Sequence, residues 1–369
     1  MMSAHPPFRA DHVGSLLRPT ELLEARTKRH KGEISADELS AAEDASIKKA
    51  VAMQESVGLQ GITDGEHRRT FFHIDFLEKL EGVEVKGGLP VKFHTKTAQI
   101  EFSPPSMRVS GELKRSGGIV TEDFKYLKSI TKGTPKIAIP SPTMLHFRGG
   151  RNAVDETAYP DMEDFFRDLA KAYQGELADL GALGCTYLQF DDTNLAYLCD
   201  PAQHQRVRDM GEDPALLPHL YARMVNDAIA DKPDDMAICI HLCRGNFQSA
   251  WVAEGGYDPV AEALFQEMNV DGYFLEYDDE RSGGFEPLRF VPKGKTVVLG
   301  LISTKVRALE SKDEIKRRIE EASKYVDMEY LALSPQCGFS STVEGNDISE
   351  DEQKAKLLLV KEISDEVWG

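Results

Sequence analysis

The chain has 369 residues, 41% of them hydrophobic and 29% charged, the composition of a folded globular protein with a large core. Its 44 lysines and arginines stand against 62 acids, a formal charge of -18 that argues against nucleic-acid binding over a broad basic face but leaves room for a small basic pocket. No apolar run reaches the length of a membrane span, the start Met1–Pro7 lacks a secretory pattern, and the five scattered cysteines form no disulfide framework, so a reducing cytoplasm is expected.

The run Arg9–Pro19 is strand-like and breaks at Gly14-Ser15 and Pro19. A polar helical stretch over about Glu21–Lys31 follows, then a longer one from Ser35 to about Val57, where Ser35 and Glu38 have the spacing of a capping box. Leu39, Ala42, Ile47, Ala50, Val51 and Met53 give it one apolar face. Ile62–Glu66 is a short strand ending on carboxylates, with Arg68, Arg69, Phe71, Phe72 and Phe76 close behind, the make-up of a pocket rim or of a solvated loop. Residues from about 82 to 130 fit no strand–helix unit. There Thr97–Phe102 and Arg108–Leu113 alternate like a hairpin around Ser103-Pro104-Pro105-Ser106, and a short helix is expected over Glu122–Ile130.

Lys136–Pro142 resumes the buried strand pattern, and Asp161–Leu180 is an amphipathic helix with a stripe of Phe165, Leu169, Ala172, Leu177 and Leu180. Strand Thr186–Asp192 ends on two acids. A loop through Cys199, helix Leu216–Asp231 and strand Ala237–Cys243 come next, then helix Pro259–Met268 and strand Gly272–Asp278. Strand Thr296–Ser303, helix Lys312–Tyr325, strand Tyr330–Cys337 and a charged helix from Ser349 to about Val367 complete the order. Eight short strands rich in Val, Ile and Leu alternate with helices, as in a parallel sheet covered on both faces. This predicts an α/β protein of the (β/α)8 barrel type, a single domain over 1–369 with a hairpin segment inserted after the second strand at about 82–130. An open doubly wound sheet is the alternative, but no strand is followed by a Gly-x-Gly-x-x-Gly turn.

In a barrel the C-terminal strand ends share one mouth. Cys239, His241 and Cys243 alternate along one strand and so face one side. His241, Cys243 and Cys337, with Glu276 as fourth ligand, supply the sulfur, nitrogen and oxygen donors of a tetrahedral zinc site, while Cys239 lies one layer deeper and belongs to the core. A buried cysteine or histidine on its own is more often simply core, so it is the gathering of several at different strand ends that points to metal. A thiol bound to such a centre loses its proton at neutral pH and stays nucleophilic, which points to thiol alkylation, with hydrolysis through metal-bound water as the other chemistry. Glu66 and Asp191 can hold an ammonium group, and the backbone around Gly14 and Ser15 a carboxylate; for Asp191-Asp192, capping of the next segment is an equal alternative.

These motifs resemble the C-terminal catalytic barrel of cobalamin-independent methionine synthase, over nearly the whole chain. Val13-Gly14-Ser15 is similar to that family's Ile-Gly-Ser, Asp64-Gly65-Glu66 to its His-Gly-Glu, and Gln189-Phe190-Asp191-Asp192 to its Gln-Ile-Asp-Glu. His241-Leu242-Cys243, Leu275-Glu276 and Pro335-Gln336-Cys337-Gly338 are similar to its zinc-ligand motifs. The resemblance implies zinc on His241, Cys243, Glu276 and Cys337, homocysteine held by Gly14, Ser15, Glu66 and Asp191, and methionine as product. Two positions depart from the pattern: Phe147 stands where the family stacks folate on Trp, and Lys305 where it has a catalytic His. The chain has one barrel where the full synthase has two, so it looks closer to single-barrel relatives, and either methyl-tetrahydrofolate or a methyl-corrinoid protein is expected as donor. Arg68, Arg69 or Lys305 is expected to meet an anionic part of donor or acceptor. The competing readings are zinc–thiolate opening of an epoxide by coenzyme M, decarboxylation on the uroporphyrinogen decarboxylase type of barrel, and a non-catalytic zinc-binding barrel.

Overall fold

The computed structural model describes residues 5–88, 91–95 and 99–369. Twelve strands are described: β1 (Gly61–Ile62), β2 (Glu81–Lys86), β3 (Val91–His94), β4 (Gln99–Phe102), β5 (Ser106–Lys114), β6 (Thr134–Pro135), β7 (Ile137–Pro140), β8 (Tyr187–Asp192), β9 (Ala237–Leu242), β10 (Gly272–Glu276), β11 (Thr296–Ile302) and β12 (Leu331–Pro335). The last six form one parallel sheet in the order β12-β11-β10-β9-β8-β7. Every residue of β8 and β10 is buried, which is why these strands read as unbroken apolar runs rather than as alternation.

β6 leads directly into β7, and β6 pairs in parallel with β1, Gly61 opposite Thr134 and Ile62 opposite Pro135. The first segment adds no ladder, but Ala10 bridges Leu333 of β12 in parallel, with Asp11 N donating to Leu333 O at 3.0 Å. On its other side Thr63 Oγ1 donates to Gly14 O at 2.7 Å and Leu16 N to Gly65 O at 3.0 Å. Eight segments thus follow one another in chain order, and the first is hydrogen-bonded to both the second and the last. The first two leave the ladder early because their ends turn through left-handed backbone, with φ of 139° at Gly14, 67° at Gly65 and 60° at Glu66.

The helices fall where the apolar stripes and caps place them, at Thr20–His30, Ala36–Val57, Thr121–Ile130, Met162–Ala182, Leu217–Ile229, Lys312–Ala322 and Glu350–Trp368. The Ser35 hydroxyl accepts from Glu38 N at 3.1 Å, and the Glu38 carboxylate accepts from Ser35 N at 2.8 Å, closing the expected box. Three expectations are corrected. The stretch Pro259–Met268 is not a regular α-helix: it is a 3₁₀ turn, then a wide π-type turn in which Met268 N donates to Ala263 O at 3.1 Å. The expected loop through Cys199 holds two short helices, Asn194–Leu198 and Pro201–Asp209. The segments 97–102 and 108–113 do not pair with each other. β4 pairs with β3, and β5 with β2, both antiparallel, while Thr97 and Ala98 lie outside the described residues. Among the described residues no helix is long and apolar enough to cross a membrane.

Candidate metal centre and the pocket above it

β9 carries His241 and delivers Cys243 one residue past its end; Glu276 ends β10, and Cys337 lies two residues beyond β12. One ligand atom from each of the four lies within 4.8 Å of the others, and all four residues are buried. Cys239 packs one layer below with Phe8, Val13, Tyr187, Phe274, Val298 and Ala332, in the core as expected. The Cys243 and Cys337 sulfurs are 3.4 Å apart. The contact with Cys243 holds the Cys337 thiol below its ordinary range, and the same contact, with burial, pushes Cys243 up. Burial works against an imidazolium at His241, yet the neighbouring Cys337 sulfur, Asp191 and Glu276 together raise its pKa. Burial raises the Glu276 carboxyl.

Both ring nitrogens of His241 are buried, and among the described residues only the Cys337 sulfur acts on the ring as a hydrogen-bonding neighbour, short of a well-formed bond. An unmet buried nitrogen costs about 1–3 kcal/mol, and a cation at the centre of the four donors would satisfy it. Two sulfurs, one imidazole and one carboxylate are the donor types that zinc takes in a tetrahedral shell, so the residues present fit that ion. Glu276 is anchored from outside: Oε1 accepts from Arg244 N at 2.9 Å and Oε2 from Arg281 Nη2 at 3.3 Å.

A pocket opens above the donors, with Ser15, Arg69 and Asp191 beside them and Phe71, Phe72, Phe93, Phe102 and Tyr197 as walls. Gly14 lets the chain pass close to Glu66, since a Cβ there would stand 2.8 Å from Glu66 Oε1. Ser15 clamps the turn after β12, its carbonyl accepting from Phe339 N at 2.9 Å and its hydroxyl from Ser340 N at 3.4 Å. Arg69 is ion-paired with Glu66, and its Nη1 is 3.8 Å from Asp191 Oδ2. Burial pushes the Glu66 carboxyl up to about 8, with Asp191 and Asp64 adding to the effect against Arg69. Burial also raises Asp191, whose Oδ1 accepts from Gln189 Nε2 at 2.7 Å. The two neighbouring acids divide their roles: the Asp192 carboxylate accepts from Asn194 N and Leu195 N, at 2.7 and 3.0 Å, at the start of a short helix.

Lys305 Nζ donates to Asn246 Oδ1 at 3.0 Å, and its charge bears on Cys243, Cys337 and Glu276. Phe147 is placed elsewhere than expected. It ends a short helix whose four residues are all buried, packs edge-on to Tyr197 and Tyr221 at 6.0 and 6.2 Å, and is not among the residues that line the pocket. Arg68 also points away, to Glu43, Asp44 and Asp123. Sequence reasoning missed Phe93 and Phe102 on the segment after β2, the buried His73 in the pocket wall, and Arg281 behind Glu276. The signals for them were the alternation in Val91–His94 and Thr97–Phe102 and the acidic run Asp278–Glu280 before Arg281.

A cluster of sulfur, nitrogen and carboxylate donors at the C-terminal edge of a parallel sheet, beside a pocket lined by Asp191, defines an α/β protein with a candidate metal centre. The family described as "Cobalamin-independent synthase, Catalytic domain" matches residues 8–350, and the chain belongs to that family, one of methyltransferases. It is 47% identical over 369 residues to the uncharacterized protein YxjH of Bacillus subtilis, covering 98% of this chain and 95% of that one. It is 25% identical over 338 residues to the methionine synthase of Pyrococcus abyssi, covering 88% and 84%. Among solved structures, a putative vitamin-B12 independent methionine synthase from Listeria monocytogenes superposes with a TM-score of 0.79 at 40% identity, over 100% of both chains. A B12-independent methionine synthase from Shewanella matches in fold at a TM-score of 0.71 and 21% identity, over 97% of both chains.

Proposed function

We propose that this protein is a zinc-dependent S-methyltransferase that passes a methyl group from methyl-tetrahydrofolate to homocysteine, giving methionine. The observation that carries the reading is the convergence of His241, Cys243, Glu276 and Cys337, with the imidazole nitrogens otherwise lacking a well-formed hydrogen bond. In this reading the eight segments close into a single (β/α)8 barrel with the segment at about 82–130 inserted. Zinc bound to these donors would hold the acceptor sulfur as a thiolate at neutral pH. Glu66 and Asp191 take the amino group, the backbone at Gly14 and Ser15 the carboxylate, and together they orient the sulfur toward the aromatic-walled pocket where the donor enters. Lys305, at the edge of the donor cluster, faces the anionic part of the donor. Because the family is cobalamin-independent by description, the folate is the donor proposed. The two carboxylates favour an amino-acid thiol over the sulfonate of coenzyme M.

The test incubates zinc-loaded protein with homocysteine and methyl-tetrahydrofolate and follows methionine by mass spectrometry. Methionine is expected from the wild type, and the Cys337→Ser variant is expected to lose both bound zinc and turnover. A zinc-loaded wild type that forms no methionine from mono- or polyglutamyl methylfolate would overturn the reading.

A further inference from the structure

Asp191 lines the pocket and Glu66 lines a second cavity beside it, while Arg69 lines both and stands between the two buried acids. Arg69 is ion-paired with Glu66 and reaches Asp191 at 3.8 Å, so its guanidinium spans the gap between the two acids. An ammonium group that touches both carboxylates must stand where the guanidinium stands. The ionisable groups on the wall of that second cavity, besides Glu66 and Arg69, are Asp64, Asp75, Glu78 and Asp123 with Arg68, Lys79 and Lys136. Asp123 there is paired with Arg68, so a guanidinium that leaves the seat has Asp64, Asp75 and Glu78 to turn to, and the incoming amine replaces its charge at the seat. Neither end of the movement strands a buried charge, which is the condition for it to be cheap.

We infer that Arg69 is an internal occupant of the amine seat, and that an amino-acid thiol binds by displacing it from Glu66 and Asp191 into the neighbouring cavity. The inference rests on the amino-acid thiol reading above. It makes Arg69 a specificity residue. A thiol without an amine has nothing to exchange for the guanidinium and leaves it in place, while a thiol with one competes for the seat. A ligand whose site is free only part of the time binds more weakly by that fraction, so removing the occupant removes that handicap for amine-bearing thiols alone.

The experiment is calorimetry on zinc-loaded wild type and the Arg69→Met variant, with homocysteine and its des-amino analogue 4-mercaptobutyrate, and a crystal structure of the wild type with homocysteine. The variant is expected to bind homocysteine about tenfold more tightly than wild type and the analogue within about twofold, with the guanidinium in the complex withdrawn from Asp191. Unchanged or weaker homocysteine binding by the variant overturns the inference, as does a complex in which Arg69 keeps both carboxylates. Equal weakening of both thiols would instead assign Arg69 to the substrate carboxylate, and also overturns it. If homocysteine binds neither protein although both hold zinc, the amino-acid thiol reading falls and the inference falls with it. An Arg69→Gln variant repeats the comparison should the Met variant not fold.

Discussion

Glu66 combines two costs, a left-handed backbone at φ 60° and a carboxyl buried beside Asp191 and Asp64. The backbone alone costs a non-glycine residue about 1–3 kcal/mol, a strain that clusters at binding sites. The pH consequence runs opposite to that of a surface salt bridge. In the folded chain burial favours the protonated form of Glu66 against the pull of Arg69, while the unfolded chain releases that proton near 4.5. From there up to about 8 the native state binds more protons than the unfolded one, so this group's contribution to stability is present at low pH and is lost as pH rises toward 8. Urea unfolding of metal-free wild type and Glu66→Gln at pH 5 and pH 8 is the check. The wild type is expected to lose more stability than the variant between the two, and an equal loss would show that Glu66 is ionised throughout. At this scale the sequence was most informative where strand period set the direction of a side chain: His241 and Cys243 share a face and Cys239 lies below them. It could not orient Phe147, because a four-residue helix after a strand can turn its last side chain toward pocket or core.

At the scale of elements, the six strands β7 to β12 were legible from their apolar runs, and the pairing of β2 to β5 was not. Alternation reveals a strand but not its partner, since any two such strands match on their buried faces. Here β4 folds back on β3 and β5 on β2, and the result puts Phe93 and Phe102 over the metal donors. Phe102 stacks on Phe247 with centroids 4.3 Å apart and planes at 13°, fastening this segment to the loop after β9. Such a pair is worth about 0.5–1.5 kcal/mol beyond the area it buries. Phe102→Ala is therefore expected to raise the KM for the methyl donor by roughly three- to tenfold, with zinc content and homocysteine affinity near wild type. Steady-state kinetics beside metal analysis decides it, and an unchanged donor KM would take Phe102 out of the donor pocket. The short helix Asn194–Leu198 was hidden for another reason: the carboxylate that takes its first N–H groups, Asp192, sits inside what reads as a strand end.

Across the whole molecule, the first segment is held by one buried charge pair as well as by its backbone hydrogen bonds. Lys136, just before β7, is fully buried; its Nζ lies 3.2 Å from Asp11 Oδ1 and donates to His12 O at 2.5 Å. Tyr187 of β8 donates to Asp11 Oδ2 at 2.7 Å, and the ammonium stands 4.8 and 4.1 Å from the ring centres of Tyr187 and Phe274. One cluster therefore ties together the first segment, β7, β8 and β10. Nothing in the sequence joins this lysine to Asp11, because the two lie 125 residues apart. Removing one charge of a buried pair leaves the other uncompensated and costs about 3–5 kcal/mol, whereas removing both is often close to neutral. Lys136→Met is thus expected to lower the unfolding free energy by about 3–5 kcal/mol, and Lys136→Met with Asp11→Asn to recover most of that loss. None of the four candidate ligands belongs to the cluster, so the double variant should bind zinc as the wild type does. Denaturant unfolding of wild type, both single variants and the double variant gives the coupling directly. A single Lys136→Met variant as stable as the wild type would mean that the pair does not hold the first segment in place.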